Sequence, residues 1–297
     1  MHWRFAVPLA AILTWGCAGK PPAATPPPDE RQSISRAAQL AFAQDQYGQA
    51  ATLYQAALEL ALAADDARSI IDTRFNLALT ETYLGRYTAA LDQVDRADAE
   101  RARRGLGADP ELQLLRATIH YRAGDDRAAA SVLSGLLQVP GLSPDTSARA
   151  HFVAGLIAAG RADPVALADH LAAIPEGAAP AVAADRLELS ARLAALRGDA
   201  AQALDQFDQL VEQRALQRDY RGMTRALAGA GDIAETSGQS ARAGAYLLRA
   251  GRSAAQRAAP EARAWLERAR DLARRSGDQA LLRDAETSLG ALGSTAD

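Results

Sequence analysis

Tyr47-Gly48-Gln49-Ala50-Ala51-Thr52-Leu53-Tyr54-Gln55-Ala56-Ala57-Leu58 alternates large and small side chains at helical spacing, with Tyr47, Ala50, Tyr54 and Ala57 at the deciding positions. Small residues at fixed places let one helix approach its neighbour, and the large ones fill the gap beside them. The theme returns further along the chain. Gly85-Arg86-Tyr87 leads into Ala90, Val94 and Ala97; Gly124-Asp125-Asp126 into Ala129, Leu133 and Leu136; Gly198-Asp199-Ala200 into Ala203, Phe207 and Leu210. A glycine or Gly-Asp turn accompanies each copy, and the copies stand about forty residues apart, the last about two such steps further on. A single helical hairpin cannot bury its apolar stripe, so such units complete their cores by stacking.

These motifs resemble the second half of the tetratricopeptide repeat, and Asn76-Leu77-Ala78 and Leu289-Gly290 resemble the paired Leu-small positions of its first helix. The resemblance implies an all-α fold, a right-handed α-solenoid of about seven helical hairpins over residues 31–292. The spacing exceeds the ~34 residues of the common repeat. Asp66 precedes Gly85 by the same nineteen residues that separate Asp219 from Gly238, which indicates lengthened helices rather than random loops. Ser143-Pro144, Asp109-Pro110 and Asp163-Pro164 each set a capping side chain ahead of a first-turn proline. The pattern predicts helices near 31–44, 48–64, 67–83, 88–104, 110–122, 127–138, 145–159, 165–173, 181–196, 200–216, 219–236, 240–257, 260–275 and 279–291. Ile174-Pro175-Glu176-Gly177-Ala178-Ala179-Pro180 interrupts the series and suggests a joint near 174–180. Helix 240–257 reads equally well as the second helix after Gly238 or as the first helix before Glu261-Ala262-Arg263-Ala264-Trp265-Leu266.

Composition supports helix over sheet, since Ala and straight-chain residues lose little entropy in a helix. Lys20 is the only lysine, so nearly all basic residues are arginine, and the net charge is −3. That balance speaks against a nucleic-acid partner, which normally meets a basic excess. A lone cysteine excludes an intramolecular disulfide and a cysteine-based zinc site. The four histidines (His2, His120, His151, His170) show no HxxxH or HExxH spacing, and no GxGxxG, GxxxxGK[ST] or GxSxG motif occurs. The sequence therefore offers no catalytic residue, metal site, cofactor or small-molecule substrate, and it reads as a non-enzyme.

His2 and Arg4 precede an apolar run, Phe5 to Leu13, which is too short to span a bilayer and reads as a signal peptide over residues 1–16. Leu13-Thr14-Trp15-Gly16-Cys17 resembles the lipobox of bacterial lipoproteins, in which a small residue precedes a cysteine that is lipidated and becomes the mature N-terminus. Thr14 and Trp15 depart from its usual residues. The resemblance implies lipidation at Cys17, with a palmitate-type acyl anchor. The other reading is an ordinary signal peptide, cut after Ala18, with an incidental cysteine. From Lys20 to Pro28 the chain is proline-rich, as expected of an extended tether over residues 17–30. At about 3.1 Å per residue it reaches roughly 30 Å. No Asp follows Cys17, which in such lipoproteins implies the outer membrane, periplasmic face, as destination.

Tetratricopeptide arrays bind proteins or peptides, usually with their first helices lining the concave face. Placing the motif puts Phe75, Leu79 and Tyr83 from one repeat and Leu114, Thr118 and Tyr121 from the next on an apolar, aromatic groove for a partner helix or extended peptide. A shift of one residue in phase returns them to the core. Some members grip a C-terminal carboxylate with Lys and Asn; the corresponding positions here are Ser35, Gln39, Phe75 and Leu79, which do not match. Taken together, the sequence reads as a lipid-anchored, periplasm-facing adaptor or assembly scaffold. The alternative is a soluble regulatory protein of the same repeat class without an anchor. Charge is uneven: residues 29–100 hold twelve acids and six arginines, residues 240–297 ten arginines and seven acids. Arg263, Arg268, Arg270, Arg274 and Arg275 share a helix with Glu267 and Asp271, as expected of a solvated, salt-bridged face.

Overall fold

A computed structural model describes residues 28–294 except 178 and 258. The signal segment, Gly16, Cys17 and the tether as far as residue 27 lie outside the described residues. What is described is all helix and turn, in fourteen α-helices: α1 (Pro28–Ala43), α2 (Tyr47–Ala63), α3 (Ala67–Tyr83), α4 (Tyr87–Arg103), α5 (Pro110–Arg122), α6 (Asp126–Leu136), α7 (Pro144–Gly160), α8 (Pro164–Ala173), α9 (Pro180–Leu196), α10 (Ala200–Leu216), α11 (Tyr220–Thr236), α12 (Ser240–Ala255), α13 (Ala262–Ser276) and α14 (Gln279–Ser294). The helix α1 begins three residues ahead of the expected start at 31, since proline's fixed φ suits a first helical turn.

The corners explain the regularity. Residues 45, 65, 85 and 105, twenty apart, all adopt positive φ, and so do 198, 218 and 238. A left-handed residue just past a helix stops it and turns the chain. Except after Gly105, the next residue then caps the following helix. The side chains of Asp66, Asp125, Asp199 and Asp219 each accept the backbone N–H three residues on, from Ser69, Ala128, Gln202 and Gly222. Ser143 caps α7 through Thr146, and Asp163 caps α8. Seven of the helices are 17 residues long, about 25 Å each at 1.5 Å per residue. The long repeat is thus lengthened helix, as the nineteen-residue offset predicts.

Each helix packs on the next, and α3, α5, α7 and α9 also pack on one another in turn. These odd-numbered helices form the inner layer and the even-numbered ones the outer. Four apolar clusters join the layers, covering α1–α3, α3–α5, α5–α9 and α9–α14. The motif residues sit inside them: Ala50, Tyr54, Ala90, Val94, Ala129, Leu133, Ala203 and Phe207 are all at most 3 % exposed. Through residues 174–180 the core is continuous, because Ile174 and Val182 are buried in the same cluster as Leu167 and Leu189.

The ambiguity after residue 238 has a physical origin. The α12 helix pairs with both α11 and α13, and the next-but-one packing has passed to the even helices, α12 on α14. Glycines on two sides of α12 allow this. A Cβ at Gly251 would stand 2.6 Å from Leu266 of α13, and one at Gly244 2.6 Å from Leu281 of α14. Along α13, Arg268 bonds Asp232 and Glu235, Arg275 bonds Glu235, Arg274 bonds Glu286 and Arg270 bonds Asp271. That face is solvated and salt-bridged, as expected.

Candidate functional site: an arginine-lined inner wall

The apolar groove expected from the sequence is altered by the packing. Leu114 is 2 % exposed and belongs to the α5–α9 core, so it cannot meet a partner. Phe75 and Leu79 are half-buried against the α3–α5 core. The Thr118 hydroxyl is half-buried and donates to the Leu114 carbonyl of its own helix at 2.8 Å. The cause is the contact of α5 with both α3 and α7, which covers the middle of each inner helix. Tyr83 and Tyr121, at the C-terminal ends of α3 and α5, are partly exposed.

What faces those tyrosines is mostly charged. Arg221 and Arg225 stand one turn apart on α11, whose start is fixed by the Asp219 cap. Arg225 grips Glu188 of α9 with two forks, Nε to Oε1 at 3.1 Å and Nη2 to Oε2 at 2.9 Å, and Arg192 donates to the same carboxylate at 3.0 Å. Glu188 is fully buried. Burial is the largest influence on this carboxyl and works to raise its pKa, but Arg225 and Arg192 outweigh it and hold the value at about 2. The same pairing raises the Arg225 guanidinium above its ordinary value against the cost of its own desolvation. Even so, 41 % of the Arg225 side chain is open to solvent.

The stack curls back on itself. Arg221 donates from Nε to the Tyr47 hydroxyl at 2.9 Å across 174 residues of sequence, and lies 3.6 Å from Asp45. Its guanidinium covers the rings of Tyr47 and Tyr83, 4.3 and 4.6 Å from their centroids. The two rings stack at 4.9 Å, with the edge of Phe42 against both. Tyr47 donates its own proton to the Asp45 carboxylate. Burial, and then that bond, push the phenol well above its ordinary range. Arg122 of α5 lies 5.2 Å from the Tyr83 ring, and Arg225 lies 5.5 Å from the Phe152 ring of α7.

All these wall residues except Tyr47 and its neighbours come from the inner helices α3, α5, α7, α9 and α11. A guanidinium does not exchange its proton near neutral pH, so the wall is built to hold anions and aromatic or apolar surface. No group of three His, Cys, Asp or Glu among the described residues could hold a metal ion.

Reading the sequence missed Arg122, Glu188, Arg192, Arg221 and Arg225. A signal for part of the set exists. Arg225 and Glu188 are 37 residues apart, and other inter-helix polar pairs recur near one repeat length: Arg104–Asp65 at 39, Tyr246–Asp208 at 38 and Arg275–Glu235 at 40. Opposite charges offset by one repeat would have picked out Glu188. Nothing local marks Arg221, whose partners lie at the far end of the chain.

No family model matches the chain, and no curated protein matches it. Solved structures do. The chain is similar to a tetratricopeptide repeat protein from Parabacteroides merdae, at TM-score 0.50 and 14 % identity, over 88 % of this chain and 99 % of that one. It is also similar to the apo form of RapI, at TM-score 0.49 and 10 % identity, over 91 % and 78 % of the two chains. A signal transduction ATPase with a tetratricopeptide repeat sensor, from Pyrococcus horikoshii, aligns at TM-score 0.49 and 13 % identity over 88 % of this chain; the match spans 44 % of that ATPase. With the helical stack described above, the first of these likenesses gives the fold: an all-α solenoid of the tetratricopeptide type.

Proposed function

We propose that this protein is a lipid-anchored interaction scaffold that presents the inner wall of its solenoid to a protein partner at the periplasmic face of the bacterial outer membrane. The observation that carries the binding part is the wall itself. Tyr83, Tyr121 and a row of arginines line the inner wall, although an inner surface needed only for stability is most cheaply filled with the Ala and Leu found elsewhere in this chain. A preformed helical wall lowers the ordering cost of binding. The anchoring part rests on Gly16-Cys17 and the proline-rich segment after it, and no described helix is long and apolar enough to cross a membrane.

Two measurements test the two parts. A photo-crosslinking amino acid in place of Tyr121 should capture a protein in cells, whereas the same group at Leu216 on the outer layer (86 % exposed) should not; equal capture from both would sink the inner-wall reading. Metabolic labelling with a fatty acid should mark the chain and fail for Cys17→Ser. Absence of Cys17-dependent label would favour the unanchored, regulatory alternative.

A further inference from the structure

The proposal here deepens the inner-wall reading and rests on it: we infer that the segment held against this wall is an acidic, extended peptide, bound by Arg122, Arg221, Arg225 and Arg257.

Guanidinium donors outnumber carboxylate acceptors along this wall. Besides those four, Arg192 faces the interior. Their carboxylate partners are Glu188, shared by Arg192 and Arg225, and Asp45, beside Arg221. Asp185 and Asp219 lie close by, but both are engaged by Arg214, and Asp126 acts on Tyr121 only at longer range. Arg122 has no carboxylate or hydrogen-bond acceptor among the described residues; its contact is the Tyr83 ring. Arg257 bonds the Tyr220 carbonyl and the hydroxyls of Thr224 and Ser253, again with no carboxylate. Arg225 spends Nε and Nη2 on Glu188, and Arg221 spends Nε on Tyr47, so the remaining edges of both forks point to no protein acceptor.

Unspent guanidinium donors beside aromatic faces form a surface complementary to carboxylates. The pitch fits as well. Arg221 and Arg225 are four residues apart on one helix, about 6 Å along its axis, close to the ~6.7 Å between alternate side chains of an extended strand. Acidic residues at every second position can therefore meet successive arginines. A nucleic acid presents anions too. However, the chain carries a net charge of −3, and its N-terminal part is acidic, so a long polyanion is repelled before it reaches the interior. A short acidic segment is not held off in this way.

The test uses the full chain carrying Cys17→Ser and three fluorescein-labelled ten-residue peptides that alternate Glu, Gln or Lys with Thr. A labelled ten-nucleotide oligothymidylate is the fourth probe. By fluorescence anisotropy the Glu peptide should bind at least ten-fold more tightly than the Gln peptide and the oligonucleotide, and should weaken as salt is raised from 50 to about 300 mM. The variant Arg122→Gln should lose at least five-fold in affinity for the Glu peptide with unchanged thermal unfolding. Arg263→Gln with Arg283→Gln, on the outside of the last two helices, should lose none. Equal affinity for the Glu and Gln peptides overturns the acidic assignment but leaves the inner-wall reading intact if both require Tyr121. Tighter oligonucleotide binding overturns it in favour of a nucleic acid. Binding of no peptide, together with no crosslink from position 121, overturns both.

Discussion

Glu188 concentrates the electrostatics of the molecule in one side chain. Its folded pKa, near 2, lies below the ordinary 4.5. The carboxylate therefore contributes stability that is fully present above pH 4.5 and is lost as pH falls from there towards 2. The difference corresponds to about 3 kcal/mol. Urea titrations should give constant stability between pH 7 and 5 and a steep loss between pH 4.5 and 3. In Glu188→Gln that acid-side loss should shrink, and at pH 7 the variant should be about 2–3 kcal/mol less stable. This is less than the 3–5 kcal/mol of a fully buried pair, because both arginines keep access to water. The sequence shows Glu188 only as an acid between Leu187 and Leu189 on a helix. Its importance depends on an arginine one repeat away, and local pattern does not report that distance.

Turn chemistry and close approach govern the helices. Ala162 ends α7 at φ +54°, where glycines end α3, α5, α9 and α11. Its Cβ makes that conformation costly. Ala162→Gly should raise stability by about 0.5–1 kcal/mol, read as a higher urea midpoint. Gly251 reports the opposite constraint. The added methyl of Gly251→Ala would meet Leu266, including its backbone nitrogen at 3.2 Å. The overpacking, about 1–3 kcal/mol, should outweigh the ~1 kcal/mol gained in helix propensity. Circular dichroism melts should show α12–α14 loosening first. Between α7 and α8, His151 and His170 face each other with Nδ1 atoms 3.2 Å apart. Burial, and for His151 the neighbouring ring, hold both below the ordinary 6.5, while Asp169 pulls His170 upward. Their contribution is present above pH 6.5 and lost as pH falls. Amide protection factors in α8, corrected for the intrinsic slowing of exchange at lower pH, should therefore fall between pH 7.5 and 5.5, and His170→Asn should abolish that change. Element boundaries were legible because caps and corners are local devices. The role of α12 was not, since a helix with small residues on two faces serves either neighbour equally well in one dimension.

At the scale of the whole molecule, one side chain closes the curl. Arg221 contributes a hydrogen bond of about 1 kcal/mol, ring contacts of about 0.5–2 kcal/mol and a half-exposed ion pair worth at most about 1 kcal/mol. Each repeat is supported mainly by its immediate neighbours, so loss of this clasp should open the solenoid without unfolding it. In Arg221→Ala the radius of gyration from small-angle scattering should rise and amide protection around Tyr47 should fall, with the melting temperature within a few degrees of the parent. Unchanged scattering would show that stacking alone sets the curvature.

The sequence by itself determined the helices, their capped starts and glycine-marked stops, the forty-residue repeat and the small residues at which helices meet. All of these act within one repeat, where the chain is its own nearest neighbour. It also placed Tyr83 and Tyr121 among the candidate wall residues. Only the tertiary structure decided that Leu114 is core and that the wall is charged as well as aromatic, because accessibility depends on how far one inner helix leans over the next. Closure by Arg221 on Tyr47 was decided there too. Small rotations between successive repeats add up over five hairpins before those residues meet, and no short window of sequence contains that sum.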